Sequence, residues 1–320
     1  MRLRAFATAV LLAGCAQAPP ELSFALIGDL GYTREQEPMV DRVFAALQRE
    51  PLAFVVHDGD LGSPPNGSCT DEHWARRLAQ FQASPQPLIY TPGDNEWTDC
   101  HADEGAAGYE PLERLAALRR AFFASDRSLG QRTIALTRQP DYPENARWQI
   151  GDITFLTLHV VGSNNNRGRS REGDAEYAAR SAANLAWMRE GFAAAQASRA
   201  VMVLQQANIF PQFPPFPGGG PKEPSGYTEL REALEREAIA FRRPVVLVHG
   251  DSHYFRVDKP LGFRPARGGA GVPSLENFTR VETFGAPNHH WVQVLVSRND
   301  PNVFTFRPRP VEGNIQRRSP

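Results

Sequence analysis

Apolar runs of strand length alternate with amphipathic helical stretches along most of this chain, and an acidic residue stands just beyond run after run. Residues 23–28 (SFALIG) read as a buried strand and are followed by Asp29. Residues 35–49 read as a helix, with Val40, Val43, Phe44 and Leu47 on one face. Residues 52–57 (LAFVVH) form a second strand, ending near Asp60, and residues 87–91 a third, ending in Gly93-Asp94-Asn95-Glu96. Helices are expected over 71–82, 111–124, 175–197 and 229–241, and strands over 146–150, 153–160, 200–205 and 244–249. The strands are apolar along their whole length rather than at alternate positions. Such strands are buried on both faces, as in a parallel or mixed sheet covered by helices. Three further segments, 278–283, 291–296 and 303–307, read as hairpin strands that add a second sheet layer. No repeat or linker interrupts the pattern, so one α/β domain is expected over residues 23–315.

A hydrophobic share of 41% over 320 residues supplies a sizeable core. With 35 basic and 36 acidic residues the chain has a net charge of −1, which predicts no electrostatic footprint for nucleic acid. Residues 210–226 hold six prolines and four glycines, an irregular loop suited either to a rim or lid or to a plain surface excursion.

The N-terminus reads as a processing segment. Arg2 and Arg4 precede an apolar stretch, 5–13, too short to span a bilayer. Leu12-Ala13-Gly14-Cys15 resembles a bacterial lipobox, which implies cleavage before Cys15 and lipidation of its thiol. Ala16 and Gln17 resemble outer-membrane sorting; the alternative is an ordinary secretory signal cut near Ala18. Residues 1–22 are thus read as signal and tether, and the membrane is expected to be met only through the lipid. Two cysteines remain, Cys69 and Cys100. In an oxidising compartment an even pair reads as a disulfide, against the alternative of two free thiols.

The chemistry-bearing residues gather where strands end, which is where open α/β sheets collect ligands. They are Asp29 in Gly28-Asp29-Leu30-Gly31, Asp60 in Asp58-Gly59-Asp60, Asp94 in Gly93-Asp94-Asn95-Glu96, and Asp251 and His253 in His249-Gly250-Asp251-Ser252-His253. Carboxylates with an imidazole suit a divalent ion. In this order the motifs resemble those of the calcineurin-like metallophosphoesterases, including the purple acid phosphatase branch. The likeness is greater still to a group of proteobacterial proteins bearing PGDNEWTDCH and HGDSHYFR, both present here.

That resemblance implies a four-layer α-β-β-α sandwich of two mixed sheets and one or two metal ions. The implied ligands are Asp29, Asp60, Asp94, Gln206, Asp251 and His253. Positions where the family has imidazole carry Gly31, Asn95, Gln206 and Asp251. Oxygen donors there shift the expected metal toward Mn, Mg or Fe and away from Zn. Tyr32 is a candidate substitute for a tyrosine ligand of the purple acid branch, against an ordinary surface or core role. Asn95 and His101 are the candidates for catalytic work, with His57 a further imidazole nearby in sequence. Asn95, Asn164, Asn165 and Arg167, with Arg169, are candidates to contact substrate, against the alternatives of a polar turn over 163–166 and of solvated arginines. The implied activity is metal-dependent hydrolysis of a small phosphate mono- or diester. The alternative is a non-catalytic periplasmic binding or envelope-scaffold protein that keeps the fold.

Overall fold

The computed structural model describes residues 21–101, 108–210, 225–262 and 274–316. Twelve strands divide between two mixed sheets. In the first, β1 (Leu22–Ile27), β2 (Val55–His57) and β3 (Leu88–Tyr90) run parallel. The hairpin of β11 (Trp291–Val296) and β12 (Phe304–Arg309) then adds antiparallel to β1. The second sheet has β6 (Ile153–Thr157), β7 (Ala200–Leu204), β8 (Val245–His249) and β10 (Phe278–Glu282) in parallel. Antiparallel strands close it on each side. These are β5 (Tyr142–Ile150) and β4 (Thr137–Gln139) on one, and β9 (Arg256–Asp258) on the other.

Three apolar cores account for four layers. Between the sheets, Phe24, Leu26, Phe54 and Val294 of the first meet Phe155, Met202, Val246 and Val281 of the second. The Phe24 and Phe54 rings stack with centroids 4.4 Å apart, and Phe155 meets Phe24 edge-on at 5.5 Å. On the outer face of the first sheet lie α1 (Glu37–Gln48), α2 (Asp71–Gln82) and α3 (Pro111–Phe122). They bring Val43, Leu47, Trp74, Phe81 and Leu118 against Ala25, Ile27, Val55 and Tyr90. The outer face of the second sheet is covered by α4 (Arg171–Ala194) and α5 (Thr228–Phe241), through Trp187, Phe192, Leu234 and Phe241. Strands buried on both faces need apolar residues at consecutive positions, which is why β1, β7 and β8 show no alternation.

The C-terminal strands correct one expectation. They do not form a sheet of their own. β10 enters the second sheet parallel to β8, while β11 and β12 extend the first. Short apolar strands carry no mark of which sheet they join; the partner's free edge decides. Helix starts follow local chemistry: Thr70 and Ser170 accept hydrogen bonds from His73 N–H and Gly173 N–H, so α4 begins four residues before the expected 175. No helix among the described residues is long and apolar enough to cross a membrane.

One buried polar contact ties the outer helix α3 to the second sheet. Glu144 of β5 is fully buried and accepts from Arg119 Nε at 3.1 Å and Nη2 at 2.6 Å, and from His159 Nδ1 at 2.7 Å. Burial alone would raise its pKa, but the bonds from His159 and Arg119 win and lower it to about 2. Burial pulls His159 down, so its ring is a neutral donor. A carboxyl whose pKa is lowered by folding stabilises the fold above its unfolded value. That contribution drains away as pH falls toward the folded value. The loss should be on the order of 3 kcal/mol between about pH 4.5 and pH 2. Urea unfolding of wild type and Glu144→Gln across this range should show a steeper acid loss in wild type. Equal slopes would mean that the pair adds nothing.

Candidate metal centre

The carboxyl ends of β1, β2, β3, β7 and β8 supply the cleft, and hydrogen bonds between them join the sheets. Asp29 N–H donates to Gly59 C=O and Leu30 N–H to Asp60 C=O, locking the loops after β1 and β2 together. Gly250 N–H donates to Gln206 C=O, and Asp251 N–H crosses to Asp29 Oδ2 at 3.0 Å. Asp29, Asp60, Asp251 and His253 all take left-handed backbone angles, with φ of 51°, 56°, 74° and 59°. Each such residue costs on the order of 1–3 kcal/mol, a strain typical of functional sites.

Three ligand atoms, one each from Asp29, Asp60 and His253, lie within 4.8 Å of one another. Tyr32 joins them. Its hydroxyl donates to Asp60 Oδ2, is 3.4 Å from Asp29 Oδ1 and lies 3.1 Å from His253 Nε2. His253 Nδ1 donates to Ala286 C=O at 2.7 Å, which turns Nε2 toward the carboxylates. Burial would lower the His253 pKa, but the Asp29 carboxylate reverses this and raises it to about 9. Burial raises Tyr32 well above the usual phenol range, and the Asp60 and Asp29 charges raise it further.

Asp94, Gln206 and Asp251 lie beside this cluster. Gln206 Nε2 donates to Asp94 Oδ1 at 3.0 Å, and its Oε1 accepts from Gly162 N–H at 2.7 Å. Asp251 Oδ2 accepts from Asn208 N–H at 2.9 Å. Asp60 and Asp94 are raised well above the carboxylate range, by burial first and then by acidic neighbours; Asp251 is raised to about 6, again by burial first. The cleft is short of positive charge.

Asn95 holds Asp60. Its side-chain Nδ2 donates to Asp60 Oδ2 at 3.0 Å and to Gly62 C=O at 2.9 Å, while its backbone N–H donates to Asp60 Oδ1 at 3.2 Å. Glu96 steadies the same loops by accepting from Gly93 N–H at 2.7 Å and from Leu61 N–H. Cys69 and Cys100 form a disulfide, with both sulfurs packed on Asn95 C=O at 3.6 and 3.7 Å. Gly31 has a physical reason to lack a side chain: φ is +74°, and a Cβ would stand 2.4 Å from Arg77 Nη2. Arg77 fills that space and binds Leu61 C=O and Glu37. One feature escaped sequence reasoning: His289, which looks like part of a turn in sequence, accepts from Gly31 N–H at 3.1 Å, a partnership that leaves no mark in local pattern. Asn208 binds Asp251 through its backbone N–H from the loop after β7.

The other candidates sit differently. Asn165 is buried, its Oδ1 taken by Arg180 and Val161 N–H and its Nδ2 facing Gly226 C=O. Asn164 Oδ1 accepts from Gly226 N–H, and Arg167 Nη1 donates to Ser225 C=O. These bonds pin a left-handed turn at Gly162–Asn165. Arg169 pairs with Asp99, whose other oxygen accepts from Ser163. His101 lines a cavity of about 400 Å3 with Arg169, Asn166 and Glu110, among none of the clustered ligands. His57 is in the core against Phe81 and Tyr90, and burial lowers its pKa to about 3. Cys15 and residues 211–224 lie outside the described residues.

Two carboxylate oxygens, a phenol oxygen and an imidazole nitrogen, converging in a buried acidic cleft, are a donor set suited to one hard or borderline ion. Such an ion also relieves the mutual repulsion of the carboxylates.

No protein-family profile and no curated protein matches the sequence. Solved structures align with it at low identity. Sulfate thiohydrolase SoxB of Thermus thermophilus aligns at a TM-score of 0.48 with 13% identity, over 93% of this chain and 58% of that one. Vacuolar protein sorting 29 of Cryptosporidium parvum aligns at 0.36 with 12% identity, over 90% and 96%. A protein serine/threonine phosphatase of Saccharomyces cerevisiae, with similarity to human phosphatase PP5, aligns at 0.33 with 14% identity, over 91% and 80%. The chain thus spans just over half the length of the SoxB structure.

Gly93 provides a test of the cluster. A Cβ there would stand 1.9 Å from Asp60 Oδ1, so Gly93→Ala must displace the carboxylate. The variant should keep its far-ultraviolet circular dichroism and lose roughly 10–100-fold in Mn2+ affinity by calorimetry, the range for disturbed ligand support. Unchanged affinity would remove Asp60 from the centre.

Proposed function

We propose that the protein is an exported, lipid-anchored metallophosphoesterase of the calcineurin-like type. It cleaves small phosphate esters with a divalent ion held by Asp29, Asp60 and His253, with Tyr32 as a further oxygen donor. The observation that carries this reading is the convergence of the three ligand atoms within 4.8 Å, with the Tyr32 hydroxyl among them. When bound, the ion supplies a nucleophile at neutral pH and polarises a phosphoryl oxygen.

The chain's own part is to orient. Asn95 fixes Asp60 through two donor contacts and is itself held by Gly62 C=O, and Ala286 C=O fixes the His253 ring. Asp251 N–H directs Asp29 Oδ1 to the cluster by occupying Oδ2. No covalent nucleophile competes among the described cleft residues. Cys69 and Cys100 are joined, and the Ser163 hydroxyl is spent on Asp99.

The test joins elemental analysis to a screen of phosphomonoesters and diesters with Mn2+, Mg2+, Fe2+ and Zn2+. Bound metal and turnover are expected, with both lost in Asp60→Asn, because an amide cannot replace a charged ligand at this position. Turnover unchanged in Asp60→Asn would overturn the assignment. Stoichiometric metal with no turnover on any ester would favour a binding or scaffold role. The lipid anchor is a separate matter: Cys15→Ala should move the protein from the membrane fraction to the soluble one. Recovery in membranes at the wild-type level would exclude lipidation at Cys15.

A further inference from the structure

We infer that this centre takes a single ion, and that Gln206 fills the neighbouring ground with hydrogen bonds where a second cation would otherwise sit. The inference rests on the metal reading above and fixes how many ions that reading allows.

The first ground is Asp60. To bridge two ions a carboxylate must offer an oxygen to each. Its Oδ2 faces the cluster and accepts from Tyr32 and Asn95 Nδ2. Its Oδ1 is turned into the backbone, accepting from Asn95 N–H at 3.2 Å and packed so closely on Gly93 that a Cβ there would collide with it. Oδ2 is thus the Asp60 oxygen that faces the cluster, while Oδ1 is engaged with the Asn95 backbone on the other side.

The second ground is the orientation of Gln206. The side chain is fully buried, so both ends of its amide must be satisfied within the protein. The atom facing Gly162 N–H at 2.7 Å has to be the oxygen, since a backbone N–H can only donate. The amide NH2 must then point at Asp94 Oδ1, 3.0 Å away. A glutamine acting as a metal ligand offers its oxygen; this one offers hydrogen to Asp94. It lowers the cost of the buried Asp94 charge as a cation would, and its N–H dipole repels a cation placed there.

The third ground is geometric. Paired ions in hydrolytic sites stand about 3.5–4 Å apart. Beside the cluster, two N–H groups are aimed at carboxylates: Asn95 N–H at Asp60 Oδ1 and Gln206 Nε2 at Asp94 Oδ1. Asp251 has one oxygen on Asn208 N–H and flanks Gly162 with the other. Among the described residues, Asp29, Asp60 and His253 form the one group of three such ligands close enough for an ion. The Gly162 N–H, Gln206 and Asp94 chain thus supplies Asp94 with a neutral donor in place of a second cation.

The experiment uses the mature chain, stripped of metal and re-equilibrated with Mn2+. Elemental analysis should give one ion per chain. Electron paramagnetic resonance should show the hyperfine pattern of isolated Mn2+ without the signal of an exchange-coupled pair. Gln206→Glu keeps the side-chain size and replaces the N–H donor with a carboxylate. It should raise the count to two and bring in the coupled signal. Gln206→Ala, which removes the donor without adding charge, should weaken the exclusion, so that a second ion binds at elevated Mn2+. Two ions with a coupled signal in wild type would overturn the inference. So would a count of one in both variants, each folded by near-ultraviolet circular dichroism. A wild-type protein that binds no ion defeats the phosphoesterase reading together with this one, whereas two ions in wild type defeat only the count.

Discussion

Carboxylate repulsion in a buried cleft is the constraint that the rest of the site answers to. Asp29, Asp60, Asp94 and Asp251 are brought together by strands that run in the same direction, and burial denies them water as a dielectric. The fold meets this with directed donors: Asn95 on Asp60, Gln206 on Asp94, Asn208 on Asp251, and the Asp251 backbone on Asp29. These are neutral groups, so they soften the repulsion without cancelling charge. Asp29, Asp60 and His253 bring their ligand atoms within 4.8 Å of one another beside the Tyr32 hydroxyl, and there a cation has much to gain.

The supports of that arrangement come from far along the chain. His289 holds Gly31 from 258 positions away, and Ala286 holds His253 while its own N–H donates to Asp29 C=O. Arg77 on α2 grips the loop after β2 at Leu61 C=O. The disulfide presses the loop of residues 94–100 onto the loop after β2, with Asn95 between. Strain at four left-handed residues is tolerated because each is bonded on more than one side, which is how rigid sites retain such angles.

Much of the architecture was visible in the sequence because it follows from one-dimensional pattern. Apolar runs without alternation mark doubly covered strands, and the acidic residues after β1, β2, β3 and β8 mark the cleft. Thr70 and Ser170 are residues of the helix-capping type, and the pair of cysteines left beside Cys15 pointed to the bridge. What stayed hidden depends on three dimensions. The placement of β10 beside β8 is decided by a free edge. Tyr32 has nothing nearby in sequence to separate a cleft tyrosine from a surface one. Gly31 looks like a lost ligand until Arg77 is seen in its place, and the asparagines at 164 and 165 read either as pocket lining or as a polar turn until Arg180, Gly226 and Val161 claim them for the turn.

The direction of β1 has a consequence for access. The strand begins beside Val296 at one end of the sandwich and delivers Asp29 at the other. Six residues of extended chain cover about 20 Å. A pull applied upstream of Glu21 is therefore felt at the end of the sandwich opposite the ligands. Fixing the chain to a surface at that side leaves the approach to Asp29, Asp60 and His253 facing outward, so a dissolved molecule reaches them without having to pass between the protein and whatever holds it.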